Sequence, residues 1–261
     1  MNSNANPWLH RFACLLAGAT FLLILAGASV TSHRAGLAVP DWPTTYGQFM
    51  FSFPASKWVG NILYEHGHRL IASTVGMLTI VLAFWLVRRE SRRWVRSLGI
   101  TALGAVIAQG ILGGLTVKLM LPPAISIAHA GLAEFFFCMT IGLALFTSER
   151  WKCGPPAVEN RNAMLLRRVA TVSTLAIYIQ ILLGATICHA EAGLYAHIFG
   201  AFVVVACAAT SLTAILFGVK QKGFAYWFVK KIEGGICPFC KAYEKVYGKK
   251  AHEPATSSDA V

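Results

Sequence analysis

The sequence predicts an all-α, polytopic integral membrane protein: six transmembrane helices, the first four forming a bundle and the last two a truncated half-repeat. Three observations carry this. Hydrophobic residues make up 56% of the 261-residue chain and charged residues only 13%, whereas a soluble domain usually carries about 25% charge. The mean hydropathy is +0.58. The apolar residues also gather in long runs, each close to or beyond the roughly 20 residues that cross about 30 Å of hydrocarbon.

The runs fall in order. The first is 12–32; it is too long for the apolar core of a signal peptide and lacks a small-residue cleavage site, so it reads as a span. A long loop, 33–62, follows with AGLAVPDWPTTYG (35–47), whose Pro, Gly and aromatic residues predict ordered turns and interfacial anchors. The second run is 70–87 and the third 97–117, joined through RRESRRWVR (88–96). A tight turn at 118–123 leads into the fourth, 119–148, interrupted only by Glu134. SERWKCGPPAVENRN (148–162), with its Gly-Pro-Pro breaker, separates the fourth span from the fifth, 169–190, and the sixth is 192–219. The expected organisation is an N-terminal segment 1–11, a four-helix bundle 12–148, a linker 149–168, a shortened second half 169–219 and a basic tail 220–261.

The formal net charge of +12 could suggest a nucleic-acid binder, but its distribution argues against one. The segments before the first span, after the second, after the fourth and after the sixth hold one, five, five and eight of the 23 Lys and Arg residues. Only Arg34, Lys57, Arg69 and Lys118 fall on the opposite side. The positive-inside rule then puts both termini in the cytoplasm of an inner (plasma) membrane protein, with the basic residues meeting anionic lipid headgroups. The cysteines build no external disulfide framework: Cys14, Cys138, Cys188 and Cys207 lie in or at the ends of spans, Cys153, Cys237 and Cys240 on the reducing side.

The chain repeats itself. GASVTSHRAGLA (27–38) aligns without gaps to GATICHAEAGLY (184–195), and HRLIASTV (68–75) to HIFGAFVV (197–204). Spans five and six thus read as spans one and two with the loop deleted. A rival register matches QGILGGLT (109–116) to QILLGAT (180–186), which makes them a copy of spans three and four.

The chemistry-bearing residues cluster at helix mouths. NILYEHGHRLIAS (61–73) puts Glu65, His66, His68 and Arg69 just ahead of an uncharged run. His68 lies one or two turns into the second span, His129 about six residues after Pro122–Pro123 in the fourth, and His197 in the first turns of the sixth. At 1.5 Å per residue the three sit at similar depth. Intramembrane ionisable residues face a bundle interior and are functional candidates, and two imidazoles on facing helices reach the iron of a flat macrocycle from opposite sides, as in bis-His haem. The bland alternative is a set of hydrogen-bonded polar residues. Gly76, Gly110, Gly113 and Gly114 offer either room for a macrocycle or ordinary small-residue packing. Glu65 and His68 share a helix face at i, i+3, so Glu65 is a candidate base, or else an interfacial partner of Arg69. Arg69 meets a haem propionate or a lipid phosphate. His66 points elsewhere and is not expected to be a ligand. Glu134 is either an interhelical partner or a proton carrier.

GASVTSHRAGLAVPDWP, EHGHRLIAS, QGILGGLTV, AISIAHAGLAE and QILLGATICHAEAGL followed by AHIFGAF together resemble haem A synthase, the bacterial relative of the mitochondrial Cox15 family, over residues 8–219. The resemblance implies two similar helical halves, each with a histidine pair, and oxidation of a ring methyl of haem O to the formyl group of haem A for cytochrome oxidase. It implies Glu65 as the essential acid, His68 and His129 as ligands of the substrate haem, and His197 as the first ligand of a haem b in the second half. Implied partners are haem O synthase, the oxidase assembly machinery, an electron-transfer protein and membrane lipids.

The chain departs from the family pattern in three places. No cysteines flank Pro40-Asp41-Trp42-Pro43, so it resembles the cysteine-free subgroup. The second-half loop is deleted. A Lys-rich tail follows the sixth span where a seventh and eighth helix, with the fourth histidine, are expected. His189, or a second His197 in a homo-oligomer, could complete the second site. The tail motif GGICPFCKAY (234–243) holds Cys237 and Cys240, with His252 nearby: a basic tail with incidental thiols, or a redox dithiol. Two other functions compete with the enzyme: a b-type cytochrome electron carrier, and a non-catalytic haem-binding assembly protein. Both need the histidines; neither needs Glu65.

Overall fold

The computed structural model describes residues 7–152 and 163–219, and the Cys237–Cys240 motif, Cys153 and His252 lie outside the described residues. The six predicted spans are helices, and all six are long and apolar enough to cross a membrane. They are α1 (Pro7–Ser32), α2 (Asn61–Arg89), α3 (Arg93–Lys118) and α4 (Pro123–Thr147), then, after a four-residue α5 (Glu149–Lys152), α6 (Ala163–Ala190) and α7 (Leu194–Val219). Two short 3-10 turns, Met50–Ser52 and Ala55–Lys57, interrupt the long loop.

Two helix starts differ from the apolar runs for a local reason. The fourth run begins at Leu119, but Met120 and Leu121 take positive φ (62° and 60°) ahead of Pro122 and Pro123, so the helix starts at the second proline. That is where a residue without an N–H is tolerated. The last run likewise turns at Gly193 (φ 84°) before α7 begins. In the other direction, α2 starts at Asn61, well before its apolar run, so Glu65, His66, His68 and Arg69 all lie in its first turns.

The described residues divide into two compact units, one of 7–152 with 181–197, the other of 163–180 with 198–219. In the first, α1 packs on α2, α2 on α3, α3 on α4 and α4 back on α1, a closed ring of four. Its apolar core is Leu9, Ala13 and Leu16 of α1, Val75, Leu82 and Leu86 of α2, Val95 and Ala102 of α3, and Phe136, Met139 and Leu143 of α4. Large apolar side chains also point outward, among them Phe21, Leu22, Ile80, Phe84, Ile107 and Phe135, as helices in lipid require. In the second unit the described contacts join the two last helices: Ser173 Oγ lies 2.9 Å from Ser211 Oγ.

Ala35, Val39, Phe53 and Val117 are buried at the loop end, but the main apolar cluster fills the other end of the bundle. Every member lies toward the Arg-rich turn; the first core residues of α2 and α4, Val75 and Phe136, come seven residues beyond His68 and His129, about 10 Å along the helix. At the Arg-rich end the chain is latched by polar contacts. Arg92 grips the buried Glu90 through Nε and Nη2 (2.9 and 3.0 Å) and donates to the Phe146 carbonyl (2.7 Å) at the C-terminus of α4. His10 Nδ1 bonds the Ala144 carbonyl at 2.9 Å.

Candidate functional site

At the other end the long loop is strapped onto α2 by one arginine. Arg69 Nη1 donates to the carbonyls of Asp41 (2.7 Å) and Thr44 (3.2 Å). Its Nη2 donates to the Val39 carbonyl (2.7 Å) and to Glu65 Oε1 (2.5 Å). The second oxygen of Glu65 accepts the Val39 N–H at 2.7 Å. Four of the five guanidinium N–H donors are therefore used, and Nε alone remains for a propionate or phosphate. The interfacial alternative for Glu65 is thus realised in the form of the Arg69 pair, with Glu65 buried (4% exposed) and Arg69 largely covered (10%).

The strap has its own internal order. The Asp41 carboxylate accepts the Thr44 hydroxyl (2.5 Å) and the Tyr46 and Gly47 N–H groups (2.7 and 2.9 Å). Burial would raise its pKa, but the hydrogen bonds from Gly47, Thr44 and Tyr46 outweigh that and hold it below the ordinary 3.8. The Tyr46 hydroxyl donates to the Ala38 carbonyl. His66 is fully buried beneath the loop: Nδ1 lies 3.1 Å from Thr45 Oγ1, and Phe53 and Trp58 pack on the ring at 5.1 and 4.8 Å. Trp42 crosses to α3. A methyl on Gly114 would stand 2.6 Å from its indole ring, and the Lys118 ammonium lies 5.7 Å from the ring centre. The loop is thereby tied to both α2 and α3.

Beneath the strap are the histidines. His68 and His129, on α2 and α4, lie within electrostatic reach of each other, and His189 within reach of His129. The Nδ1 atoms of His68 and His129 are buried and complete no hydrogen bond, nor do Gln109 Oε1 and Ser126 Oγ. Gln109 holds His129 from the side, its amide donating to the His129 carbonyl at 2.9 Å. Each ring rests on a glycine of the preceding long helix: His68 on Gly27, His129 on Gly113, and His197 on Gly184. Glu134, half-buried on α4, has no hydrogen-bond or ion-pair partner among the described residues.

Gly113 and Gly114 make room for His129 and Trp42, while a methyl at Gly76 or Gly110 would meet nothing within 4 Å. Sequence reasoning missed Gly27 and Gly184 as histidine seats. The signal was present: the two rival repeat registers both place a glycine at the same position, Gly27 or Gly113 against Gly184. It also missed Val39 as a partner of Glu65, because a backbone N–H leaves no mark in a sequence. Among the described residues no three His, Cys, Asp or Glu side chains converge as a metal cluster, so what the site offers is a pair of imidazoles.

A membrane-spanning bundle whose half-buried imidazole pair lies toward the end strapped by the polar loop defines the class: a polytopic membrane protein with an intramembrane histidine site. The family described as COX15-CtaA, cytochrome oxidase assembly protein, matches residues 10–212, and the chain belongs to it. It is 30% identical over 191 residues to the haem A synthase of Shouchella clausii, covering 71% of this chain and 61% of that protein. It is 28% identical over 156 residues to that of Halalkalibacterium halodurans (58% and 51%), and 29% identical over 198 residues to that of Shewanella oneidensis (68% and 55%). The chain thus spans about half to three-fifths of the length of these relatives. No solved structure matches it.

Proposed function

We propose that this chain binds haem O between α2 and α4 and oxidises a ring methyl to the formyl group of haem A, for cytochrome oxidase biogenesis, in an inner (plasma) membrane with the Arg-rich end and both termini in the cytoplasm. The observation that carries the reading is the His68–His129 pair: two half-buried imidazoles on α2 and α4, each with a buried Nδ1 that completes no hydrogen bond, beyond the end of the main apolar cluster. That fits a planar metal-bearing ligand better than a packed core, since buried polar atoms ordinarily find partners. The names of the relatives point the same way.

The residues divide the work. His68 and His129 hold the iron and so fix the ring between their helices. Conversion of methyl to formyl takes its oxygen from water and releases four protons and four electrons; the electron-transfer partner accepts the electrons, and Glu65, three residues from His68, takes protons as they leave. Arg69 and the Val39 N–H orient that carboxylate and keep the strap down over the site. Asp41 stiffens the strap and Trp42 ties it to α3, which excludes water from the mouth. His197, seated as the other two are, is the ligand this chain offers to a second haem, haem b, whose chemistry would be electron transfer; no step is assigned to it. Haem O synthase, an electron-transfer protein and the oxidase assembly machinery are the partners this reading implies. The described region divides, on this reading, into the substrate half 12–148 and a two-helix second half 169–219.

The experiment is mass analysis of haems extracted from cells that make haem O and express this chain. Haem A or its hydroxylated intermediate, lost in Glu65→Gln, is expected. Haem B and haem O alone, with the protein folded in the membrane, would overturn the enzymatic reading in favour of an electron carrier or an assembly protein.

A further inference from the structure

The three histidines are seated by one repeated device. A methyl at Gly27 would lie 3.1 Å from His68 Cε1, 3.6 Å from Nδ1 and 3.8 Å from Nε2. At Gly113 the same distances to His129 are 3.1, 3.7 and 3.8 Å, and at Gly184 the first two, to His197, are 3.2 and 3.7 Å. Each ring therefore presents the same edge to the glycine, in the same order of atoms. The backbone carbonyl four residues before the glycine faces the ring in the two bundle copies: Leu23 for His68 and Gln109 for His129. In each case the seat belongs to one helix and the histidine to the next, so α1–α2, α3–α4 and α6–α7 are three copies of one helix-pair device. Both repeat registers in the sequence are then correct, because each compares a different pair of copies.

The contact is tight enough to govern the ring. At 3.1 Å a methyl is closer than an ordinary van der Waals contact of 3.5–4.0 Å, so the imidazole would have to yield by a few tenths of an ångström. Glycine inside a helix is otherwise unfavourable relative to alanine. Gly18, Gly76 and Gly110 carry that disadvantage too, but nothing lies within 4 Å of a methyl there.

We propose that Gly27 and Gly113 are positioning residues that set the orientation of the His68 and His129 imidazole planes from the neighbouring helices, with Gly184 doing the same for His197. Their value toward an iron-bearing ring rests on the haem reading above; the seating itself does not. The helix that carries each histidine fixes its depth, and the glycine seat fixes the rotation of the ring about its side-chain bonds. Two rings held in this way keep a set angle between their planes.

The test has two readouts on the full chain. In haem-free protein labelled at histidine Cε1, Gly27→Ala should shift the His68 ring resonance alone and Gly113→Ala that of His129 alone. Gly18→Ala and Gly104→Ala, on the same helices and with nothing within 4 Å of the added methyl, should shift neither. In haem-loaded protein the two seat variants should move the largest g-value of the low-spin ferric signal, which follows the angle between ligand planes, and the two controls should not. Ring resonances unmoved in both seat variants would overturn the proposal. Shifted resonances in the seat variants, together with a wild-type protein that takes up no haem, would instead overturn the haem reading and leave the seating standing. Should either alanine variant not fold, Gly184→Ala reads the same device on His197.

Discussion

Replacing Arg69 by methionine tests the strap directly. The guanidinium makes three hydrogen bonds to loop carbonyls, at 2.7, 2.7 and 3.2 Å, and an ion pair to Glu65 at 2.5 Å. Methionine keeps most of the packing of the stem but removes every donor. It leaves Glu65, 4% exposed, with only backbone donors of the loop, at Val39 and Ala38. Removing one partner of a buried pair costs about 3–5 kcal/mol, because the remaining charge is stranded away from water. At about 1.4 kcal/mol per factor of ten, opening of the loop should become easier by roughly two to four orders of magnitude. Local opening is where the cost should appear, since the apolar core lies at the far end of the bundle. Limited trypsin digestion reads it, because Arg34 and Lys57 are exposed within the loop. Arg69→Met should be cut far faster than wild type under conditions where helical content is unchanged. The double variant Glu65→Gln/Arg69→Met has no stranded carboxylate and should recover a good part of the protection. Equal cleavage of Arg69→Met and wild type would refute the strap; equal cleavage of single and double variants would refute the stranded charge as its cause.

The strap should also respond to acid. A carboxyl held below its unfolded value of 3.8 contributes stability that is full above that pH and lost as pH falls through the folded value, so the turn at 41–47 should open on acidification below about pH 4. Trypsin is unsuitable there, but pepsin cleavage of the loop reads it, and Asp41→Asn should flatten the profile; an identical acid midpoint in that variant would show another group at work. His66→Phe should keep the ring between Phe53 and Trp58 and lose the Thr45 contact, at about 1 kcal/mol. Bound haem, measured by the pyridine haemochrome spectrum, should be unchanged, and its loss would make His66 a ligand. Gly114→Ala puts a methyl 2.6 Å from the Trp42 ring, an overpacking cost of about 1–3 kcal/mol. Trp42 should swing out, and acrylamide quenching should rise relative to a Trp42→Phe reference; unchanged quenching would place Trp42 elsewhere in solution.

The six spans and the helix-mouth position of the acidic and imidazole groups of α2 were legible in the sequence. Each depends on a property carried along one dimension. Span length follows from the thickness of hydrocarbon, and depth follows from a fixed rise per residue counted from a helix start. The family membership follows from the same local strings. The glycine seats were half-legible: the repeat marked Gly27, Gly113 and Gly184 as equivalent, but nothing in a string says which side chain will lie on a missing Cβ.

What only the tertiary structure decided is which groups spend their hydrogen bonds on one another. Arg69 could have turned to lipid, to a propionate or to Glu65; the loop carbonyls of Val39, Asp41 and Thr44 decide it, and carbonyls are present at every position of every sequence. The same holds for the Val39 N–H on Glu65 and for Trp42 on Gly114. Where the apolar core stops was equally invisible, because all four bundle helices are apolar along nearly their whole length in lipid. Inward and outward faces therefore differ little in composition, and only packing separates the residues that fill the Arg-rich end from those that leave the Nδ1 atoms of His68 and His129 without a hydrogen bond at the other.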